Sequence, residues 1–205
     1  MPKTYSIKTY QFSELSDKAK KKAVELLRND EYENYPTESV TEVLAEKLED
    51  TGYPDDNISW SLACCQGDGV SFVGRCALDV VIPRLFRCSD ASCSSCSDKV
   101  MRLLKLLEEG HLRNDITNRG NYCHANSMRL DVNFSGEDKD VELVDELETA
   151  ILADIRSLSY EMEKIGYAQI EALTSEEVAI ENAEANETEF NEDGTFACLK
   201  GAQEA

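Results

Sequence analysis

The sequence predicts an α+β fold: an antiparallel sheet of four or five strands, packed by helices over one face and completed by a long C-terminal helix. Three patterns predict it. Apolar and polar residues alternate at 58–62 and 127–134, the period of half-buried strands. Apolar residues recur at helical spacing through 19–27 and 40–48. From Val144 through Leu147, Ile151, Ile155, Leu158 and Met162 to Ile165 the steps are 3, 4, 4, 3, 4 and 3, one unbroken apolar seam along about six turns of helix. In 205 residues, 41% hydrophobic with 10 Gly and 4 Pro, there is enough apolar surface to offset the ordering entropy of a core. Residues 1–200 are read as a single domain, acidic and helical from about 136, with a flexible tail at 201–205.

Taken in order, residues 4–12 read as a short strand with Tyr5, Ile7, Thr9 and Phe12 on its apolar side. Ser16 fits a helix N-cap, with Asp17 in the first turn and Ala19, Ala23, Leu26 and Leu27 at helical spacing, opposite a basic face of Lys18, Lys20, Lys21 and Lys22. A second helix follows Pro36 with Thr37 as its cap and is stopped by Gly52. A strand at 58–62 and a β-branched run at 70–82 flank Asp68-Gly69, a hairpin signal. A helix over 97–110 ends at Gly110, and strands are expected at 113–117 and 127–134. The seam at 144–165 needs cover, either from the sheet or from a coiled-coil partner, and Gly166 is a candidate kink or stop. Thr174 to Glu177 fits a capping box that starts one more helix, ending near Asp193-Gly194.

Charge is unevenly placed. Residues 136–205 hold 20 Asp and Glu against 4 Lys and Arg, or −16 of the net −20. Such a surface repels nucleic acid and anionic membranes and attracts basic partners, so a protein with a basic surface is the expected partner. The expected contact residues are Glu177, Glu181, Glu184, Glu187 and Glu189, with successive helical carboxylates roughly 5–6 Å apart along the axis. Phosphates bring a charge every ~1.7 Å of duplex, which makes nucleic-acid mimicry one form of that contact. No run of about 18 apolar residues suggests a membrane span, and the first residues lack a signal-peptide pattern, so a cytosolic setting is expected.

Two constellations carry chemistry. Cys88, Cys93 and Cys96, separated by four and two residues in a polar segment, are candidate zinc ligands with a fourth from His111, Cys123 or His124. Reduced thiols without metal are the alternative, and no other cofactor is expected. Gln66, Asp68, Ser71 and His124 are a candidate pocket, because a histidine beside a carboxylate can serve acid–base chemistry near neutral pH. No nucleophile motif or phosphate-binding glycine loop accompanies them. The sequence names no reaction.

The order Glu14-Leu15-Ser16, Trp60-Ser61-Leu62, Gln66-Gly67-Asp68-Gly69-Val70-Ser71-Phe72, Tyr122-Cys123-His124, Leu173-Thr174-Ser175-Glu176-Glu177-Val178, Ala185-Asn186-Glu187 and Phe190-Asn191-Glu192-Asp193-Gly194 resembles a widespread group of small uncharacterised bacteriophage proteins. Cys64-Cys65 and the cysteine segment at 88–96 depart from that pattern. The resemblance implies an accessory protein acting in the host cytoplasm, one that binds and inhibits or modulates a host defence system or a transcription or nucleic-acid enzyme. Two other roles stay open: an antitoxin-like partner of a small toxin, and an enzyme of unknown reaction using Asp68 and His124.

Overall fold

The computed structural model describes residues 8–63, 67–87, 94–120 and 122–197. They form six α-helices, α1 (Asp17–Asn34), α2 (Thr37–Leu48), α3 (Leu78–Leu85), α4 (Ser94–Glu108), α5 (Val141–Leu173) and α6 (Glu176–Ala185), and four strands, β1 (Ile58–Ser61), β2 (Gly69–Phe72), β3 (Leu112–Asn118) and β4 (Met128–Phe134). The fold is mixed α and β, and no helix among the described residues is long and apolar enough to cross a membrane. Two compact units divide the chain: a smaller one of Met1–Thr37 with Ala168–Ala205, and a larger one of Glu38–Tyr167.

In the larger unit the strands do not merge into the four- or five-stranded sheet expected from the sequence. They form two antiparallel pairs, β1 with β2 and β3 with β4. Past β2, Gly74 exchanges two backbone bonds with Ile116 of β3, at 3.0 and 2.7 Å, and ladder pairing between the two hairpins ends there. The next hydrogen-bonding pair in that register is Cys76 with Asn114. At that position the side chain of Asn114 replaces the backbone, its Oδ1 accepting from the Cys76 N–H at 2.7 Å and its Nδ2 donating to the Cys76 carbonyl at 3.1 Å. A carboxamide matches one peptide group in donor and acceptor, so the chain leaves the sheet without burying an unpaired polar group.

It leaves to form α3, where a strand through 70–82 was expected. The spacing of Leu78, Val81 and Ile82 is helical, and all three are buried. The β-branched content of the run gives way to tertiary packing, as strand propensity commonly does. The β1–β2 connection is also longer than a tight Asp-Gly turn, because Ser61 pairs with Gly69 and leaves 62–68 between them. By contrast, β3 and β4 follow the alternation closely, burying Leu112, Asn114 and Ile116 on one and Met128 and Leu130 on the other.

The seam on α5 is covered within the chain: Val144, Leu147, Ile151, Ile155, Leu158 and Met162 are all buried. Gly166 neither kinks nor ends the helix. A Cβ there would lie 2.4 Å from Leu62 Cδ1, so the glycine provides room for the buried Leu62 to approach the helix. Ion pairs fasten α5 and the segment before it to the rest of the unit. Lys99 reaches Glu146 at 2.7 Å and Lys47 reaches Glu161 at 2.7 Å. Arg84 meets Asp154 at 2.6 Å, and Asp154 also accepts from the Tyr53 hydroxyl at 2.8 Å. Burial, and then that carboxylate, push the Tyr53 phenol far above its usual range. Arg102 holds Asp140 in a two-pronged contact, Nε to Oδ1 at 2.7 Å, with the aspartate almost wholly buried; such parallel bonds are the strong form of this pair.

The smaller unit has its own core of Leu15, Ala19, Ala23 and Leu27 from the α1 region against Ala179, Ala183 and Phe190. The expected Ser16 cap is present, accepting from the Ala19 N–H at 3.3 Å. The strand expected at 4–12 is reduced to one bridge between Tyr10 and Phe190, followed by a 3₁₀ turn at Phe12–Glu14; residues 4–7 lie outside the described residues. In place of the expected capping box at Thr174 there is a simple cap one residue later. Ser175 caps α6, accepting from the Val178 N–H at 3.3 Å, while the buried Thr174 donates its hydroxyl to the Ile170 carbonyl at 2.9 Å and so finishes α5. The last helix stops at Ala185, well before Gly194, and Glu187 adopts φ 51. Gly194 lies against α1, where a Cβ would come 2.1 Å from the Ala19 carbonyl oxygen.

Two measurements test this account. Ser175→Ala should cost about 1 kcal/mol of stability, the usual loss of an N-cap, read by denaturant unfolding of the smaller unit. The bond from Arg102 holds the Asp140 carboxyl below its usual range. The stability this contributes is full above the unfolded carboxylate pKa of about 4 and is lost as pH falls through the lower folded value. Asp140→Asn should therefore lower stability at neutral pH and flatten its decline below about pH 4, seen in thermal midpoints across that range.

Candidate functional site

The polar residues singled out in the sequence meet at the end of the β1–β2 hairpin, where the chain on either side of Asp68 packs under the segment after β3. Gly69 has φ 147, and a Cβ on it would lie 2.8 Å from the Cys123 carbonyl oxygen and 2.9 Å from His124 Cα. Only glycine permits both that backbone angle and that approach. A Cβ on Gly67, with φ 104, would touch the Tyr122 ring at 3.2 Å. Asp68 and His124 are thus brought to one rim. Gln66 lies outside the described residues.

The hydrogen bonds of the rim shape loops. Asp68 accepts from the Ser61 hydroxyl at 2.8 Å and the Ala63 N–H at 2.8 Å, with the Tyr167 hydroxyl at 3.4 Å, which closes the 62–68 connection. His124 turns Nδ1 back to its own loop, accepting from the Asn126 N–H at 3.1 Å. None of the hydrogen bonds described joins the two. Ser71 is fully buried and accepts from Asn118 Nδ2 at 3.0 Å. That same amide nitrogen donates to the Tyr122 carbonyl at 2.6 Å, while Asn118 Oδ1 finds no donor among the described residues. Ser127 completes the loop, donating to the carbonyls of Tyr122 and His124 at 2.9 and 2.7 Å. The arrangement presents a rigid polar loop, with Tyr122 61% and Tyr160 49% exposed beside it and the Tyr160 hydroxyl 3.4 Å from Asn126.

Of the cysteines expected to hold zinc, Cys88 and Cys93 lie outside the described residues. Cys96 is partly buried on α4, and Cys123 is partly buried in the rim loop. Of the expected fourth ligands, His111 Nδ1 lies 3.4 Å from Ser135 Oγ and His124 Nδ1 accepts from the Asn126 N–H. Among the described residues no group of three or more His, Cys, Asp or Glu is placed to hold a metal ion. Cys76 is buried, and burial pushes its thiol up to about 12, so it remains protonated and unreactive at neutral pH.

Four acidic residues on α5 or just before it, Asp140, Glu146, Asp154 and Glu161, take cations from the larger unit, as described above. Glu177, Glu181, Glu184, Glu187 and Glu189 are all exposed, and among the described residues no Lys or Arg pairs with any of them. Glu177, Glu181 and Glu184 lie at intervals of four and three residues on α6, which places them along one face. The Ser175 cap and the buried Ala179 and Ala183 fix how that face is presented. Asp193 is held differently: bonds from Lys22 at 2.6 Å and then from Thr195 keep its carboxyl well below the usual range.

The sequence reading missed a cleft of about 380 Å³ in the smaller unit, lined by Lys21, Val24, Arg28, Tyr32 and Thr174 among others. Arg28 donates from Nε to the Thr174 carbonyl at 3.1 Å across its floor. The basic residues of α1 were visible in the sequence. The long-range bond to the end of α5 was not.

The fold and these surfaces define a small α+β protein with a braced polar rim on one unit and an uncompensated acidic face on the other. The family model described as a domain of unknown function, DUF8835, matches residues 37–178. The chain belongs to that family. The match takes in the whole rim, Asp68, Ser71 and His124, but of the five outward glutamates only Glu177. No curated protein and no solved structure matches the chain.

Gly69→Ala should destabilise the larger unit by about 2 kcal/mol or more, because strained backbone costs of order 1–3 kcal/mol and a carbonyl would also have to move. Denaturant unfolding would measure it. Loss of the Asn126 and Ser127 amide shifts in an NMR spectrum of the still-folded variant would locate it to the rim.

Proposed function

We propose that the protein is a non-enzymatic binding protein that docks on a basic surface of a partner protein through Glu177, Glu181, Glu184, Glu187 and Glu189, and inhibits or modulates that partner. One observation carries the reading. In a chain of net charge −20, Asp154, Glu146, Asp140 and Glu161 are matched by Arg84, Lys99, Arg102 and Lys47, while these five exposed carboxylates, grouped on and just after one capped helix, take no cation from the described residues. A capped helix holding unmatched carboxylates in fixed positions offers a preformed charge pattern, which lowers the ordering cost of binding. It also raises the rate of encounter with a basic target.

The spacing along α6 suits a surface that otherwise holds phosphates, so the partner is proposed to be a nucleic-acid-handling protein whose groove this face occupies. The resemblance to bacteriophage proteins supports placing the encounter in the cytoplasm of an infected host, with a defence or transcription enzyme as the target. The rim of Asp68 and His124 then serves the scaffold, consistent with hydrogen bonds that close loops.

Capture from host lysate by the full chain, followed by binding kinetics with whichever protein is retained, tests the proposal. Reversing Glu177, Glu181 and Glu184 to Lys should slow association at least tenfold at low ionic strength and flatten its salt dependence. An association rate unchanged by that triple substitution and by salt would overturn the electrostatic docking.

A further inference from the structure

The open edge of β4 carries an inference that stands apart from the acidic face. In the β3–β4 pair, Arg119 donates to the Ser127 carbonyl and Ser135 to the His111 carbonyl, and both contacts keep the register in which Leu112 faces Phe134. In an antiparallel ladder the hydrogen-bonded pairs alternate with non-bonded ones. The odd-numbered residues of β4 therefore spend their N–H and C=O groups on β3, and those of Met128, Leu130, Val132 and Phe134 point to the outer edge. Among the described residues no strand pairs with that edge and no backbone group bonds to it. A straight seven-residue edge of this kind is a ready template for another strand.

The exposed side chains of the same strand select what that strand is. Arg129 and Asp131 are both exposed, and neither has an ion-pair partner among the described residues. Within the sheet Asp131 stands directly opposite Asp115, a like-charge pair that destabilises unless a cation joins it. We infer that β4 pairs antiparallel with β4 of a second copy of this chain, about a two-fold axis at Leu130.

In that register Leu130 meets its own symmetry mate and Met128 meets Val132, which uses the outward backbone groups in about six hydrogen bonds. Arg129 then faces Asp131 of the other copy, twice by symmetry. These are non-hydrogen-bonded pairs, where side chains approach most closely. The alternative centred on residue 131 would set Asp131 against Asp131 and is disfavoured by charge. An isologous contact of this kind closes on itself, so it yields a dimer and not a fibre.

Sedimentation velocity of the full chain over a concentration series, at an ionic strength near 0.15 M, where the Debye length of about 8 Å screens the net charge, reads the equilibrium. The wild-type chain should dimerise. Arg129→Asp and Asp131→Arg each set like charges across the axis and should weaken the dimer roughly tenfold or more, with circular dichroism unchanged because both positions are exposed. Mixing the two variants should restore association as a heterodimer, since every cross-axis pair is then Asp with Arg. The double variant R129D/D131R should dimerise as the wild type does. A wild-type chain that stays monomeric to about 1 mM, or an equimolar mixture of the folded variants that associates no better than either alone, would overturn the inference.

Discussion

An apolar seam along a 33-residue helix has to be covered, and the larger unit is organised by that requirement. Each residue of the seam, at about 25 cal/mol per Å² removed from water, favours whichever arrangement brings other elements over it. α5 receives the β1–β2 hairpin at Ser159, whose hydroxyl donates to the Val70 carbonyl, and the loop after β1 at Gly166. Its flanks are tied to α2, α3 and α4 by the partners of Glu161, Asp154 and Glu146. Neither hairpin is large enough to be stable alone in water. Both are held by what they cover, which explains why two short pairs suffice where a continuous sheet was expected.

How much of this could be read in advance depends on whether a residue's role is local. The seam, the Ser16 cap and the alternation of β4 were legible because each is a periodic or nearest-neighbour pattern. Asn114 was not. Its position in β3 reads as an ordinary buried site, and only the fold shows its carboxamide standing in for a strand. Gly166 misled for the same reason: glycine in a helix signals weakness locally, and the benefit lies in Leu62, about a hundred residues earlier in the chain. The 70–82 run held as a strand only to Phe72, because the β-branched Val80, Val81 and Ile82 outweighed a helical spacing that only burial makes decisive. For the candidate site, the sequence named Asp68, Ser71 and His124; Gly69 packs the chain beside Asp68 against His124, and the hydrogen bonds described for the carboxylate and the imidazole close loops, which side-chain type alone does not reveal.

The charge asymmetry also changes meaning once elements are assigned. Counted along the chain, the last third is uniformly acidic. On the fold, Asp140, Glu146, Asp154 and Glu161 meet Lys and Arg donors from earlier in the sequence, an internal complementarity between distant segments. Two unmatched groups stand out by position: the five outward carboxylates around α6, and the Asp115–Asp131 pair on the strand face. These have different consequences. The first acts over a Debye length and governs encounter, while the second acts only at contact and governs register.

The core of the smaller unit joins α1 to α6 largely through alanines, Ala19 and Ala23 against Ala179 and Ala183. Methyl groups have no rotamers to freeze, so this contact loses almost no side-chain entropy when it forms. It also buries little area for each residue fixed. Local opening free energy scales with such burial, so amide protons of α6 should exchange with solvent by small excursions well before those facing the α5 seam. The unmatched carboxylates then move as one set, their spacing fixed by the capped helix while its seat against α1 gives.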